Sequence, residues 1–508
     1  MEHIVGIDFG TTYSAVALFK NGRNFTISNQ QGERIFPSAV YIDEGRKVYT
    51  GQAAKNVSIL HVDRTVMSVK RHLGSRKHFR INDRDFSPEE ITSYIFRALQ
   101  KTAEEYTGYP VKKAVVTVPA YYDDRKRQAT KRAAKLAGLD VVRLINEPTA
   151  AALSCGLKKD EPGIILVYDL GGGTFDVSIL QAGGGVFQVL ATRGDTRLGG
   201  DDFDKKIAEV LIERFYEETK IDLRKDRFAL QKVYEEAERA KIGLSERKIV
   251  EIEVPFIAAD EKGLCHLSTR LTRMEFEELI MGYIEKTIRL TKGAVKDAGL
   301  KPADIDRLIF VGGSTRIPVV RTLLTQLFHR DAEGGVSPDE TVALGAAVEG
   351  AVLAGRLRGF ALVDVTPLGL GVESEGDMMV TMVSRNTVLP AIARTIFTTI
   401  ADDQKSAIIH VLQGERLTAT DNISLGAFRL QGIRSARRGE PRIEVSFEID
   451  VEGIVHVSAK DLDTGSSHSI SLEKTKELSQ DEVGKIIMEA RASELNDLQA
   501  VGRKHVRK

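Results

Sequence analysis

The sequence predicts an α/β domain with two lobes, followed by an all-β sandwich and a short C-terminal helix. The chain has 508 residues, which is too many for a single hydrophobic core. Residues 1–357 alternate apolar, strand-like runs with longer stretches of helical periodicity, a pattern typical of α/β folds. Beyond residue 364 the helical periodicity ends and short strands of alternating polarity follow. Two domains of different class are therefore expected.

The amino-acid composition limits the classes of partner that we expect for this protein. Acidic and basic residues number 72 each, so the net charge favours neither nucleic acid nor an anionic membrane as partner. No apolar run is long enough to span a membrane, and a strand is predicted from residue 3, so we expect no signal peptide and a cytoplasmic location. Cys155 and Cys265 have neither disulfide-framework nor metal-ligand spacing.

Two stretches of the α/β domain share one pattern. In the first, an apolar run ends in Asp8 and continues through Gly10 to Thr11 and Thr12. In the second, an apolar run ends in Asp169 and continues through three glycines to Thr174. Glycine lets backbone N–H groups approach a phosphate closely, and an aspartate at a strand end can hold a hard cation directly or through water. Two such copies predict an ATPase whose two related lobes face one polyphosphate.

A third glycine-containing turn follows the apolar run at residues 308–311. Gly312 and Gly313 leave room for a flat adenine or a ribose, and Arg316 is placed to stack on the base. Taken alone, the turn is equally compatible with an ordinary β–α connection. The sequence contains neither a P-loop nor a dinucleotide-binding glycine motif.

These turns, in this order, resemble the actin–sugar kinase–heat-shock ATPase superfamily. Further stretches resemble the DnaK-type, seventy-kilodalton heat-shock chaperones, in a short bacterial form that lacks most of the C-terminal lid. The stretches that carry this resemblance are residues 7–14, 116–121, 145–152, 169–176, 198–204, 364–368 and 410–416. The resemblance implies an actin-like ATPase domain over 1–357, a linker over 358–365, a β-sandwich peptide-binding domain over 366–475 and a helical lid remnant over 476–508. Within the remnant, Ser479 and Glu482 form a predicted helix-start motif.

The predicted catalytic residues are four carboxylates, a lysine and a threonine, namely Asp8, Glu147, Asp169, Asp176, Lys70 and Thr174. Asp8, Asp169 and Glu147 surround a polyphosphate, an arrangement that requires Mg²⁺ among them, held through its water shell. Lys70 would be read as a surface lysine on its own, but the resemblance implies that it contacts phosphate and orients the attacking water. Asp176 is placed to polarise that water. In members of the family the residue matching Thr174 also accepts phosphate from ATP. The implied cofactors are ATP or ADP and Mg²⁺, with K⁺ as a further candidate.

The remaining nucleotide contacts are assigned mainly through the resemblance. A charged helix face contributes Glu238, Lys241 and Ser245 to the nucleoside, while Ile242 stands where some relatives have arginine. The predicted nucleotide-binding residues are Gly10, Thr11, Thr12, Gly171, Gly172, Gly173, Glu238, Lys241, Ser245, Gly312, Gly313, Ser314, Arg316 and Asp339.

The resemblance also implies coupling residues and protein partners. Pro119 and Arg127 match residues that relay nucleotide state, and Arg143 matches one that docks J-domain co-chaperones. Leu362 and Asp364 lie in the predicted linker, whose sequence Phe-Ala-Leu-Val departs from the family's run of leucines and is expected to weaken coupling. The expected partners are unfolded or extended polypeptides, a J-domain co-chaperone and a nucleotide exchange factor of GrpE type.

A peptide channel is expected in the β domain. The residues that match it are Val372, Glu375, Phe397, Ile400, Ala407 and Ile409. Glu375 and Ile400 replace the apolar and small residues that usually arch over the peptide. Glu375 either arches over the peptide or points outward in a turn with Gly376 and Asp377.

The sequence thus predicts an ATP-dependent molecular chaperone that binds and releases extended hydrophobic segments, with slow basal hydrolysis. Three alternatives stay open at this point, one of which is a scaffold role without folding activity. The other two are a small-molecule kinase of the same superfamily and a filament-forming ATPase like actin.

Overall fold

The structure, a computed structural model, describes residues 3–155, 162–261, 263–332 and 337–471. These residues form two compact units, and the chain passes from the first to the second between Val363 and Asp364. The segment Asp123–Gln128 groups with the second unit. The helix predicted from Ser479 lies outside the described residues.

The described elements up to Val363 are strands β1–β18 and helices α1–α9. The strands are β1 (Ile4–Phe9), β2 (Tyr13–Lys20), β3 (Arg23–Thr26), β4 (Phe36–Pro37), β5 (Val40–Ile42), β6 (Val48–Thr50), β7 (Thr65–Val66), β8 (Phe79–Ile81), β9 (Arg84–Phe86), β10 (Lys113–Val118), β11 (Asp140–Asn146), β12 (Gly163–Leu170), β13 (Phe175–Gly183), β14 (Val186–Asp195), β15 (Ile249–Asp260), β16 (Gly263–Thr272), β17 (Arg307–Val311) and β18 (Ala361–Val363). The helices are α1 (Gln52–Asn56), α2 (Pro88–Thr107), α3 (Asp124–Ala137), α4 (Glu147–Cys155), α5 (Gly200–Thr219), α6 (Arg227–Glu246), α7 (Arg273–Asp297), α8 (Pro318–Phe328) and α9 (Thr341–Leu353).

The first unit has two lobes, each built on its own sheet. The first sheet has strand order β11-β10-β1-β2-β3, with β4 paired to β2, and the second has order β17-β12-β13-β14-β18. Each sheet contains an antiparallel meander, β1-β2-β3 in the first and β12-β13-β14 in the second. A parallel strand, β10 or β17, pairs with the first strand of each meander. Each lobe also has a separate apolar core. The two-lobed α/β prediction is therefore confirmed, and the repeated Asp-Gly-Thr pattern lies at the first hairpin turn of each lobe.

Helices α4 and α9 connect the two lobes. They pack on each other, with α9 against β1 and β2 of the first sheet and α4 against β12 and β13 of the second. The contact is close because small residues line it. A Cβ atom added at Gly345 would lie 1.7 Å from the carbonyl oxygen of Ala150, so only glycine fits there.

The second unit is a β-sandwich of two four-stranded sheets. Its described strands are β19 (Leu370–Ser374), β20 (Met378–Val383), β21 (Ala391–Phe397), β22 (Ser406–Gln413), β23 (Ile423–Gln431), β24 (Ile443–Ile449), β25 (Val455–Asp461) and β26 (Ser467–Ser471). The sheets have orders β20-β19-β22-β23 and β21-β24-β25-β26, and apolar residues from both fill the core between them. Strands β24 and β25 form a hairpin, in which Ile449 pairs with Val455 next to the turn.

The predicted linker contributes a strand to the first unit. Strand β18 pairs in parallel with the start of β14, where Phe187 lies opposite Leu362. The ring of Phe360 stacks on that of Phe187 at 6.4 Å. The segment around Leu362 thus docks through backbone pairing, which any extended apolar sequence can make, and the departure from a leucine run does not prevent it.

Candidate functional site

The two predicted phosphate loops, residues 10–12 and 171–174, face each other at contact distance. A Cβ atom added at Gly172 would lie 1.9 Å from the Thr12 Oγ1, and one added at Gly173 would lie 2.5 Å from the Thr11 Oγ1. The backbone of the second loop therefore touches the hydroxyls of the first, and glycine is required for this approach. The structure thus brings Thr11 and Thr12 against the second loop, whose last residue is Thr174.

The third loop lies against the second one. Gly312 has a positive φ of 79°, and a Cβ atom there would lie 2.4 Å from the carbonyl oxygen of Leu170. The Ser314 hydroxyl donates a hydrogen bond of 3.1 Å to the carbonyl oxygen of Gly171. Arg316 is half exposed and forms a 2.7 Å ion pair with Asp339, which holds its guanidinium beside the loop. All three predicted loops therefore meet in one site.

A carboxylate cluster surrounds one buried ammonium group in the same site. Lys70 Nζ donates a hydrogen bond of 2.5 Å to Glu147 Oε1, and both side chains are buried. Asp169 and Asp176 are buried and lie directly opposite each other on β12 and β13. The Thr117 hydroxyl donates a hydrogen bond of 3.0 Å to Asp8. The four predicted carboxylates therefore come together around Lys70. Lys70 lies in the site interior, contrary to its appearance as a surface lysine in the sequence.

The crowding of these carboxylates changes their protonation. Burial, followed by repulsion from Glu147, raises the pKa of Asp8 to about 7, and attraction to Lys70 offsets part of this. Burial also raises the pKa of Asp169 well above its ordinary value, with further contributions from Glu147, Asp176 and Asp8. One ammonium group cannot neutralise four acidic side chains, so the cluster is suited to an additional cation.

A divalent cation fits this cluster through its water shell. In the described ranges, no three His, Cys, Asp or Glu side chains lie close enough together to ligate a metal directly. Asp8, Asp169 and Glu147 supply the hard oxygen donors that Mg²⁺ prefers, and Mg²⁺ usually keeps several of its waters. These residues would hold such an ion through its water shell.

The predicted nucleoside residues lie on one face of α6. Lys241 forms an ion pair of 2.7 Å with Asp204 and also donates to the carbonyl oxygen of Gly200. Glu238 accepts a hydrogen bond of 2.8 Å from Lys55 on α1, which belongs to the other lobe. A cavity of about 200 Å³ between these walls is lined by Thr11, Thr12, Asp204 and Glu238 among others. Ser245 bonds instead to the Lys241 carbonyl oxygen within its own helix.

Arg71 is a site residue that the sequence analysis did not assign. Its guanidinium forms a 2.7 Å ion pair with Asp202 and donates to the carbonyl oxygens of Gly172 and Gly173. Asp201 lies 3.5 Å from its Nε and accepts from both Ser68 and Thr12. Arg71 therefore ties the segment that carries Lys70 to the second phosphate loop. The position of Arg71 next to Lys70 in the sequence is the feature from which its place in the site could have been predicted.

In the second unit, the six predicted peptide-binding residues line a single cavity of about 190 Å³. Ile409 and Val372 belong to its buried floor, and Phe397 and Ala407 are partly buried against the same core. The Glu375 side chain is 66% exposed and lies 3.6 Å from Arg438, so its charge is compensated at the surface. A carboxylate does line the cavity, but it is not buried.

The predicted coupling residues lie at separate places. Pro119 follows β10 and is buried, and Arg143 on β11 lies 3.8 Å from Glu349 on α9. Arg127 is buried in the first part of α3. Leu362 lies in β18, and Asp364 follows it.

The family model described as Hsp70 protein matches residues 4–80 and 76–507, which is nearly the whole chain. Within the described residues, no helix is both long and apolar enough to cross a membrane.

Proposed function

The chain belongs to the Hsp70 family, and from this premise we propose that its ATPase cycle controls the binding and release of extended apolar segments of unfolded polypeptides. Members of this family are ATP-dependent chaperones that use ATP or ADP with Mg²⁺. The observation that carries the proposal is the meeting of both phosphate loops around the carboxylates and Lys70. The family match, which extends through the β-sandwich, is our reason for preferring a chaperone over a kinase or a filament-forming ATPase.

The residues of the cleft have different proposed roles in ATP hydrolysis. Hydroxyls of Thr11, Thr12 and Thr174 donate to phosphate oxygens, and the Lys70 ammonium stabilises the negative charge that develops as water attacks. Asp176, which accepts a hydrogen bond from the Tyr121 backbone N–H, is positioned to orient that water. Bound Mg²⁺ supplies further charge neutralisation. Thr174 is also the proposed site of autophosphorylation.

Lys70 provides the test of this assignment. Lys70→Ala should retain nucleotide binding and lose hydrolysis, because a cation that acts on developing charge contributes mainly in the transition state. Single-turnover hydrolysis and ADP affinity should be measured side by side. Lys292→Ala, which removes an exposed lysine on α7, is the matched control. Wild-type turnover in Lys70→Ala would remove Lys70 from the catalytic group.

We propose that the cavity of the second unit binds the peptide. Its apolar floor, with Val372, Phe397 and Ile409, suits an extended segment whose apolar side chain enters it. A fluorescent apolar peptide should dissociate faster with ATP than with ADP, and peptide should change nucleotide affinity by the same factor. Equal dissociation rates with the two nucleotides would contradict the coupling.

The docked strand β18 is the proposed route of that coupling. Leu362 is partly buried where β18 pairs with β14, so Leu362→Asp would place a charge at this contact and should uncouple ATP from peptide release. Leu362→Met keeps an apolar side chain and should behave as wild type. Peptide release that still responds to ATP in Leu362→Asp would exclude this route.

Two co-chaperones and a monovalent cation are also proposed. A J-domain protein would dock at Arg143. The Arg143→Ala variant should therefore keep basal ATP hydrolysis, but the J-domain protein should no longer stimulate it. An exchange factor of GrpE type would separate the cleft walls that Lys55 and Glu238 connect at 2.8 Å. K⁺ is the proposed monovalent cation, and replacing it with Na⁺ should slow hydrolysis.

A further inference from the structure

The first lobe contains a cavity that the nucleotide and peptide assignments do not use. It has a volume of about 480 Å³ and lies between the loop before β4, the start of α1 and one face of α2. This size is within the range of roughly 300–1,000 Å³ that is common for small-molecule sites. It is larger than the cavity of about 200 Å³ in the nucleotide cleft.

The walls of this cavity combine an apolar floor with a neutral polar rim. Phe36, Ile95 and Leu99 supply the floor, and the latter two are buried. The rim carries side-chain amides and hydroxyls, namely Asn29, Gln30, Gln31, Gln52, Asn56, Thr50 and Thr102. An amide offers both donors and acceptors, which is what a ligand rich in hydroxyl groups requires. A sugar also has an apolar C–H face that can pack on an aromatic ring.

The charges at the rim disfavour an anion. Of the lining residues, only Glu33, Lys101 and Glu105 carry charge. Lys101 lies 3.8 Å from Glu105, and Glu33 accepts a hydrogen bond from Asn29, so the cation is compensated and an acidic group remains. A phosphate or carboxylate ligand would meet net negative charge here. A neutral ligand is therefore favoured.

Hydrogen bonds within the rim loop hold its backbone in one conformation. The side-chain oxygen of Asn29 accepts hydrogen bonds from the backbone N–H groups of Gln31 and Glu33, at 3.0 and 2.9 Å. The amides of the loop are thus presented on a fixed backbone. Preorganisation of this kind reduces the entropic cost of binding.

One strand separates this cavity from the nucleotide cleft. Pro37 of β4 lines both cavities. The next residue, Ser38, donates from its hydroxyl to the carbonyl oxygen of Gly10 and from its backbone to that of Thr12, each at 2.8 Å. A ligand that contacts β4 therefore lies one residue from groups bonded to the first phosphate loop.

From these observations we propose that the cavity is a binding site for a neutral polyhydroxylated molecule of one or two sugar rings, connected through β4 to the first phosphate loop. The site is distinct from the nucleotide and peptide sites. The proposal does not depend on the chaperone function.

The test is ligand-observed NMR on the full chain, with glucose and trehalose as probes and saturating Mg·ADP present to block the nucleotide cleft. Both probes should give saturation-transfer signals. The double variant Gln31→Leu/Gln52→Leu, which removes two exposed rim amides, should weaken binding about tenfold, corresponding to about 1.4 kcal/mol. The matched control Gln326→Leu replaces an exposed glutamine on α8 and should bind as wild type. Glucose 6-phosphate should bind more weakly than glucose.

Three results would overturn the proposal. They are no signal from either sugar, equal binding in the double variant and the wild type, and glucose 6-phosphate binding as tightly as glucose. ADP affinity, measured in each variant, shows whether the first unit is folded. If the double variant does not fold, Ala53→Phe fills the cavity from the exposed side of α1 and should abolish the sugar signals. Signals that persist in Ala53→Phe would place the sugar elsewhere.

Discussion

Asp8 should make nucleotide binding depend on pH. Burial and repulsion from Glu147 raise the pKa of Asp8 to about 7 in the nucleotide-free protein, whereas Mg²⁺ held through water requires the ionised carboxylate. Binding of Mg·ADP should therefore release a proton from this side chain near neutral pH. Affinity should fall as the pH is lowered.

The magnitude follows from the pKa. At pH 6 about one Asp8 in eleven is ionised, and at pH 8 about ten in eleven, so Mg·ADP affinity should be about tenfold weaker at pH 6. Asp169, whose pKa is also raised, adds to the effect in the same direction. The stability of the nucleotide-free protein should change too. Because the folded protein holds this proton above the ordinary pKa of 3.8, stability should decrease as pH rises from about 4 to about 7, by up to about 4 kcal/mol.

Isothermal titration at pH 6, 7 and 8, in buffers of different ionisation enthalpy, measures both the affinity and the protons released. Asp8→Asn should flatten the part of the profile that belongs to this carboxyl, and the part that remains reports the titration of Asp169 and of the nucleotide itself. Asp260→Asn, which alters an exposed aspartate on β15, is the matched control. Superimposable profiles for wild type and Asp8→Asn would refute the reasoning.

Three other substitutions test the geometry. Gly172→Ala should weaken ADP binding at least tenfold in titration calorimetry, because the new methyl group would lie 1.9 Å from Thr12 Oγ1. The control Gly282→Ala, whose methyl group would meet open space, should leave ADP binding unchanged. Arg71→Ala should lower the free energy of unfolding by about 2 kcal/mol in urea titrations, because Asp202 loses a partly buried, charge-assisted hydrogen-bond partner; an unchanged midpoint would contradict this. Glu375→Met should tighten apolar peptides and remove the salt dependence of binding to lysine-flanked ones in anisotropy titrations; unchanged affinities would place Glu375 outside the peptide site.

Much of the architecture could be predicted, because it depends on patterns that extend over only a few neighbouring residues. The alternation of Ile443, Val445, Phe447 and Ile449 with polar residues predicts a half-buried strand, and all four side chains are buried in the structure. The repeated Asp-Gly-Thr turns predict two related lobes because each turn follows its own apolar strand. Side-chain periodicity and turn chemistry act within a few residues, so the sequence displays them directly.

The contacts that the catalytic side chains make with one another could not be predicted from local sequence patterns. Lys70 has the sequence surroundings of a surface lysine, and only the packing of both lobes buries it against Glu147. The pairing of Arg71 with Asp202 and the approach of Gly172 to Thr12 likewise join residues from different lobes. The sequence is compatible with two positions for Glu375, and only the tertiary structure shows that its exposed carboxylate lies 3.6 Å from Arg438.

The sequence by itself therefore determined the two fold classes, the glycine-containing turns and the acidic residues at the strand ends, since these depend on backbone conformation and local pattern. The tertiary structure alone decided which charges face one another, how far burial raises the pKa of Asp8 and Asp169, and where cavities remain between elements. Electrostatic coupling and packing act through space, between residues that the chain separates by many positions.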